Sequence, residues 1–264
     1  MKFKDQVFWI TGASSGIGKS LTIELANLGA KLIISSRNES ALSEVKKQCK
    51  FPENIAVLAL DLEAYDDLVT KVDEAISVFG RIDVLVNNGG ISQRSLVKDT
   101  SIAVDKRLMD INYLGTVALT KALLPHFIEN KSGHFVVTTS IVGKIGTPLR
   151  STYAATKHAL HGFFDSLRAE HHNDNITVTL VCPGFVTTNV SKNALTGDGS
   201  PQDTMDIATE NGIHPDEFAK QMLKAIRNKR EEVYIAGIKE KLGVYTKRFF
   251  PKLLSKMIRK LSVT

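Results

Sequence analysis

Tyr153 and Lys157 stand four residues apart, a spacing that puts both side chains on one face of a helix and within reach of a common site. Ser140 lies thirteen residues before the tyrosine, at the end of an apolar run. These residue types suit one chemistry. Reducing a carbonyl by hydride requires a proton for the alkoxide that develops, and the reverse reaction requires a group to remove it. Tyrosine, with an ordinary pKa of about 10, exchanges protons poorly near neutrality. A neighbouring lysine ammonium favours the phenolate and brings that value toward the useful range. A serine hydroxyl can hydrogen-bond the substrate oxygen where charge develops. The Tyr-x-x-x-Lys pair alone recurs on many solvated helix faces, so other motifs must carry the reading.

A glycine-rich turn offers a place for the hydride carrier. Thr11-Gly12-Ala13-Ser14-Ser15-Gly16-Ile17-Gly18 follows an apolar run and opens an amphipathic stretch. Glycine allows a tight turn and lets backbone approach a diphosphate without a Cβ in between. The helix beginning near Ile17 then presents free N–H groups and its positive dipole end to the anion. Three residues separate the first two glycines, unlike the single residue of the G-x-G-x-x-G fingerprint. The next apolar run ends Ser35-Ser36-Arg37-Asn38. A carboxylate at that point would bind a ribose 2′-hydroxyl and repel a 2′-phosphate, whereas Arg37 can grip the phosphate in a charge-assisted fork. The expected cofactor is NADP(H).

Taken together, the T-G-x-x-x-G-x-G turn, Ser140, Tyr153 and Lys157 resemble the short-chain dehydrogenase/reductase family, over most of residues 5–240. The resemblance implies further roles. Asp61-Leu62 matches the pair that contacts adenine. Asn87-Asn88-Gly89-Gly90 is similar to the family's N-N-A-G segment, with glycine in place of alanine. In Pro183-Gly184-Phe185-Val186-Thr187-Thr188, the Val186 backbone would meet the nicotinamide carboxamide and Thr188 the cofactor. Lys157 would also hold the nicotinamide ribose, and Asn112 would support a water joining that lysine to solvent. The basic residue that some NADP-using members carry before the second glycine is Ser15 here. Segments 140–160 and 193–206 look most similar to the subgroup numbered seven, including its B-type branch. That likeness implies an apolar substrate, a steroid, retinoid or lipid-derived carbonyl, and a homodimer or homotetramer.

These residues need a scaffold, and the hydrophobic pattern supplies one. Apolar, β-branched runs at Val7–Ile10, Lys31–Ser35, Ala56–Leu60, Asp83–Val86, Phe135–Thr139, Ile176–Val181 and Val233–Ala236 read as strands. Helical patterns at about 17–28, 39–50, 65–79, 102–129, 152–172 and 215–228 lie between them. The alternation predicts a Rossmann-type, doubly wound α/β fold with a seven-stranded parallel sheet, in one domain spanning 1–240. Residues 187–214 are polar and broken, a functional loop expected to cover the substrate.

Charge and cysteine content exclude several classes. The chain of 264 residues carries a formal charge of +6, but residues 241–264 hold seven basic groups and no acidic ones. The remainder is balanced, so no nucleic-acid partner is expected. Two distant cysteines make no disulfide framework. His158 and His161 are spaced for a metal but lack a visible third ligand, and no metal is expected. The charged opening Met1–Asp5 reads as neither signal nor anchor, which suggests the cytoplasm. Phe249, Phe250, Leu253, Leu254, Met257, Ile258 and Leu261 recur at helical spacing among lysines. This tail is expected either to pack on the domain or a partner subunit, or to lie peripherally on an anionic membrane. Two rival readings are a binding protein that senses NADPH without turnover and a sugar-nucleotide epimerase or dehydratase.

Overall fold

The computed structural model describes residues 3–259. Its elements are β1 (Val7–Thr11), α1 (Gly16–Asn27), β2 (Lys31–Ser35), α2 (Glu39–Gln48), β3 (Ile55–Val57), α3 (Leu68–Phe79), β4 (Val84–Asn87), α4 (Ile102–Met109), α5 (Gly115–Glu129), β5 (Gly133–Thr138), α6 (Ser151–Glu170), β6 (Ile176–Pro183), α7 (Ile207–Glu210), α8 (Pro215–Arg227), β7 (Glu232–Ile235), α9 (Ile238–Phe249) and α10 (Pro251–Ile258). All seven strands pair in parallel, in the order β3-β2-β1-β4-β5-β6-β7. Alternate residues of each strand serve opposite cores. Phe8 and Ile10 pack with Leu21, Leu25, Phe218 and Met222 of α1 and α8. Val7 and Trp9 face the other way, toward Val72, Leu119, Leu123 and Phe164 of α3, α5 and α6. Burial on both faces is why these strands are apolar throughout rather than alternating.

Most elements fall within a few residues of the expected boundaries, and the differences that bear on the site are these. The third strand pairs only over Ile55–Val57. The expected helix over 102–129 is interrupted at Asp110–Leu114 by a π turn, whose extra residue re-aims the side chains around Asn112. The 187–214 segment is held down at several points. Leu195 bridges to Gln93 and Pro201, Val186 bridges to Ile213, and α7 forms within it. The tail forms α9 and α10, with Lys260 and Leu261 of the expected tail helix outside the described residues. Among those residues, no helix is long and apolar enough to cross a membrane.

Candidate active site

The C-terminal ends of the central strands and the loops after them wall a cleft of about 1240 Å³. It lies where the strand order reverses between β1 and β4, the switch point at which open parallel sheets bind ligands. Gly12 turns the chain out of β1 at a φ of +64°, and a Cβ there would lie 2.8 Å from the Cα of Gly89. Asn88 and Gly89 donate their backbone N–H groups to Thr11 Oγ1 at 3.0 and 2.9 Å. The Asn88 amide donates to the carbonyls of Thr11 and Gly12, so this predicted cofactor residue braces the turn. Ser14, Ser15, Gly16 and Ile17 line the cleft, and Ser15 makes no side-chain capping bond to α1. The first-turn N–H groups are therefore without an acceptor from the cap residue.

Arg37 is exposed after β2 and lines the same cleft with Ser36, Asn38, Asp61 and Leu62. Asn38 Oδ1 accepts from Ala41 N at 3.0 Å, capping α2 and anchoring the turn that carries the arginine. Pro183, Gly184, Val186 and Thr188 form the wall across from the glycine turn, and a Cβ on Gly16 would lie 2.9 Å from the Thr188 methyl.

Tyr153 and Lys157 occupy the first two turns of α6, and Ser140 follows β5. Ser140 Oγ accepts from Val142 N at 3.2 Å and reaches Pro183 O at 3.5 Å, beside the Tyr153 phenol. Lys157 Nζ lies 5.7 Å from the Tyr153 ring centroid and donates to Thr138 O at 2.9 Å. Burial brings Lys157 down to about 8. Burial also raises the Tyr153 phenol, against the opposing charge of Arg150 and the Ser140 hydroxyl. Two arginines add to the positive charge around the phenol, Arg150, three residues before the tyrosine, and Arg94.

Asn112 is buried in the π turn. Its Oδ1 accepts from Ile91 N at 2.8 Å, while Nδ2 donates to Ile91 O and Thr156 Oγ1. A Cβ on Gly90 would come within 2.9 Å of Asn112 Oδ1 and 3.8 Å of Lys157 Nζ. Ser140, Tyr153 and Lys157 thus line the cleft, with Asn112 directly behind Gly90.

Other contributors carried no sequence signal. Gln93 is fully buried, and its Oε1 accepts from the N–H groups of Thr152 and Tyr153 at 2.9 and 3.2 Å. It fixes the start of α6 and with it the tyrosine. Asp206, in the polar loop, is buried against Arg94 and Arg150, both of which line the cleft. The Arg150 guanidinium also stacks on Phe185, 5.3 Å from the ring centroid.

His158 Nδ1 contacts its own helix at Ala154 O, so His158 and His161 do not converge on one ion. The expectation that nothing completes a set around His161 is corrected. Cys182 and Glu232 meet it with ligand atoms within 4.8 Å of one another. Each already has partners, Thr139 on the thiol and Lys144 and Tyr234 on the carboxylate. Burial pushes the Cys182 thiol up to about 12. Neither a thiolate nucleophile nor a thiolate ligand is favoured by that environment.

The chain matches the short chain dehydrogenase family model over residues 6–198. It is 40% identical over 257 residues to dehydrogenase/reductase SDR family member 7B of Xenopus tropicalis, spanning 95% of this chain and 83% of that protein. Identity to the SDR family protein 7-like dehydrogenase/reductase of Drosophila melanogaster is also 40%, over 96% of this chain and 80% of the relative. Among solved structures, a Burkholderia phymatum short chain dehydrogenase/reductase in complex with NAD superposes with a TM-score of 0.83 at 21% identity, covering 96% of both chains. Levodione reductase superposes with a TM-score of 0.80 at 24% identity, over 90% of this chain and 98% of that one. The fold, the matched segment and the near relatives agree: this chain belongs to the short-chain dehydrogenase/reductase family of oxidoreductases, within its member-7/7B-like subgroup.

Proposed function

We propose that the chain interconverts a carbonyl and an alcohol with NADP(H), using Tyr153 as the acid and base. The observation that carries this reading is the convergence of Tyr153, Ser140 and Lys157 on one wall of the cleft. A nicotinamide dinucleotide fits the residues present. Gly12 leaves backbone bare at the phosphate turn, α1 starts without a side-chain cap, and Gly90 keeps the space before Asn112 and Lys157 clear. When bound, the cofactor supplies or accepts the hydride. Ser140 holds the substrate oxygen, and Tyr153 passes its hydroxyl proton to that oxygen on reduction or takes one back on oxidation. Lys157, buried beside the tyrosine ring, binds the nicotinamide ribose. Asn112 stabilises the loop at Ile91 and holds a water behind Lys157.

The cation after β2, where an NAD-selective site carries a carboxylate, supports NADP(H) over NAD(H). Arg37→Ala should erase most of the difference between NADPH and NADH affinity, and an unchanged ratio would refute the assignment. The substrate side of the cleft is walled by Ile145, Phe185, Val190, Leu242, Leu254 and Met257, which supports an apolar carbonyl. The assembly is a homo-oligomer by resemblance to the family. NADPH oxidation against steroid, retinal, aliphatic-ketone and quinone substrates tests the whole reading. Wild type should turn over one class, and Tyr153→Phe should lose turnover while still binding NADPH. Retained turnover in that variant would refute Tyr153 as the proton donor.

A further inference from the structure

The α9–α10 pair has two apolar sides. Val244, Leu254 and Ile258 face the fold and pack with Ile141, Ile145, Cys182 and Ala236, and Leu254 is only 5% exposed. A helix pair that merely covered a core would carry polar groups on its other side. Here the outer side of α9 bears Ile238, Tyr245 and Phe249, seven and four residues apart on one stripe, with Leu242 between them at the rim of the cleft. Phe250 and Leu253, which do not line the cleft, extend the exposed apolar surface toward α10. Ile238 is 78% exposed, Phe249 68% and Phe250 65%. Contiguous surface of this kind marks a contact site.

Charge identifies the occupant. From residue 241 onward the chain has seven basic groups and no acidic ones, while the residues before it hold 27 basic against 28 acidic. Glu240, the acid next to this segment, turns inward, its Oε1 accepting from Phe185 N at 3.3 Å. Self-association through this face would set one cationic segment against another with no carboxylate from the tail to neutralise them. An anionic lipid surface satisfies both features, with apolar side chains entering the acyl boundary and lysines meeting the headgroups.

We propose that the outer face of α9–α10, through Phe249, Phe250, Leu253, Lys252 and Lys256, docks the protein on an anionic bilayer. The same two helices wall the cleft at Leu242, Gly243, Thr246, Leu254 and Met257, so docking places that wall at the lipid surface. An apolar carbonyl would then enter from the membrane without crossing water. That consequence rests on the proposed function, whereas docking itself does not and is measured without turnover.

The test is co-sedimentation of the full chain with phosphatidylserine-containing vesicles against pure phosphatidylcholine vesicles. Wild type should bind the anionic vesicles at least about tenfold more tightly and be released by raised salt. Lys252→Gln with Lys256→Gln should weaken binding about 25-fold, roughly fivefold for each lysine at the surface. Phe249→Ser/Phe250→Ser/Leu253→Ser should abolish it, with the far-UV circular dichroism spectrum unchanged in both variants as the check on folding. Wild type that ignores phosphatidylserine, or binds both vesicles equally, overturns the proposal without reference to any variant. So does vesicle binding that survives in the folded triple-serine variant. A dimer that light scattering shows converted to monomer by those serines, with no vesicle binding, assigns the face to a second copy instead.

Discussion

Asp206→Asn should destabilise the protein far more than a loop substitution normally does. The Asp206 side chain is fully buried within the polar segment after β6. Arg94 Nε donates to it at 2.9 and 3.3 Å, with a further bond from the same guanidinium. Gln202 Nε2 donates at 3.0 Å, Thr209 Oγ1 at 3.3 Å, and Arg150 stands at 3.5 Å. Burial alone would raise this carboxyl, but the bonds from Arg94 and Gln202 and the two guanidinium charges hold it below the ordinary range. Asparagine keeps the shape and removes the charge, leaving two guanidinium groups crowded in a buried site. Breaking a buried pair in this way costs about 3–5 kcal/mol. At roughly 2–4 °C per kcal/mol for a chain of this size, Tm should fall by about 6–20 °C. Urea titration gives the free energy, and trypsin cleavage at Lys192 reports release of the loop. Arg94→Met with Asp206→Leu should recover part of the loss, because it removes charge from both sides of the pair. A loss below about 1 kcal/mol for Asp206→Asn would place the pair among solvated ion pairs and refute the argument. A depressed folded pKa fixes the sign with pH. This carboxylate stabilises above its unfolded pKa of about 3.9, and the contribution disappears as pH falls through the lower folded value.

Gln93→Leu should lower kcat about tenfold or more while NADPH affinity stays unchanged, because the N–H groups of Thr152 and Tyr153 lose their acceptor and the tyrosine shifts. Equal turnover would show that α6 holds Tyr153 without help. His134 is buried with Nε2 2.8 Å from Thr179 Oγ1, and burial, aided by Lys229, brings it down to about 3. The unfolded chain therefore takes up a proton below about pH 6.5 that the folded one refuses, and stability should fall from there toward pH 3, by roughly 3 kcal/mol at pH 4.5. His134→Gln should flatten that slope in a urea series across pH, and an unchanged slope would assign the acid sensitivity elsewhere.

What the sequence made legible was local. The phosphate turn, the βαβ rhythm and the Tyr153–Lys157 spacing each depend on neighbours within a few residues, where periodicity and turn chemistry determine the outcome. What escaped was long-range. Arg94 and Asp206 are separated by 112 positions, and Gln93 reaches Thr152 across 59. No spacing rule connects an arginine after β4 to an aspartate in a polar loop, so the sequence reads that segment as a functional loop without showing that a buried ion pair pins it. The π turn at Asn112 was invisible for another reason. A single inserted residue leaves the helical pattern of 102–129 nearly intact, although it decides where that asparagine points. The tail shows the limit of treating alternatives as exclusive. Its apolar residues read in the sequence as packing on the domain or a partner subunit, or else as lying on a membrane, but eight residues of α10 have enough circumference for both. Leu254 and Ile258 face the fold one turn apart with Met257 beside them at the cleft, Leu253 lies on the exposed side, and Lys252 and Lys256 follow on a third. One helix can therefore wall the cleft and present a second apolar surface, because a residue's face is set by its position modulo the turn and not by its hydrophobicity.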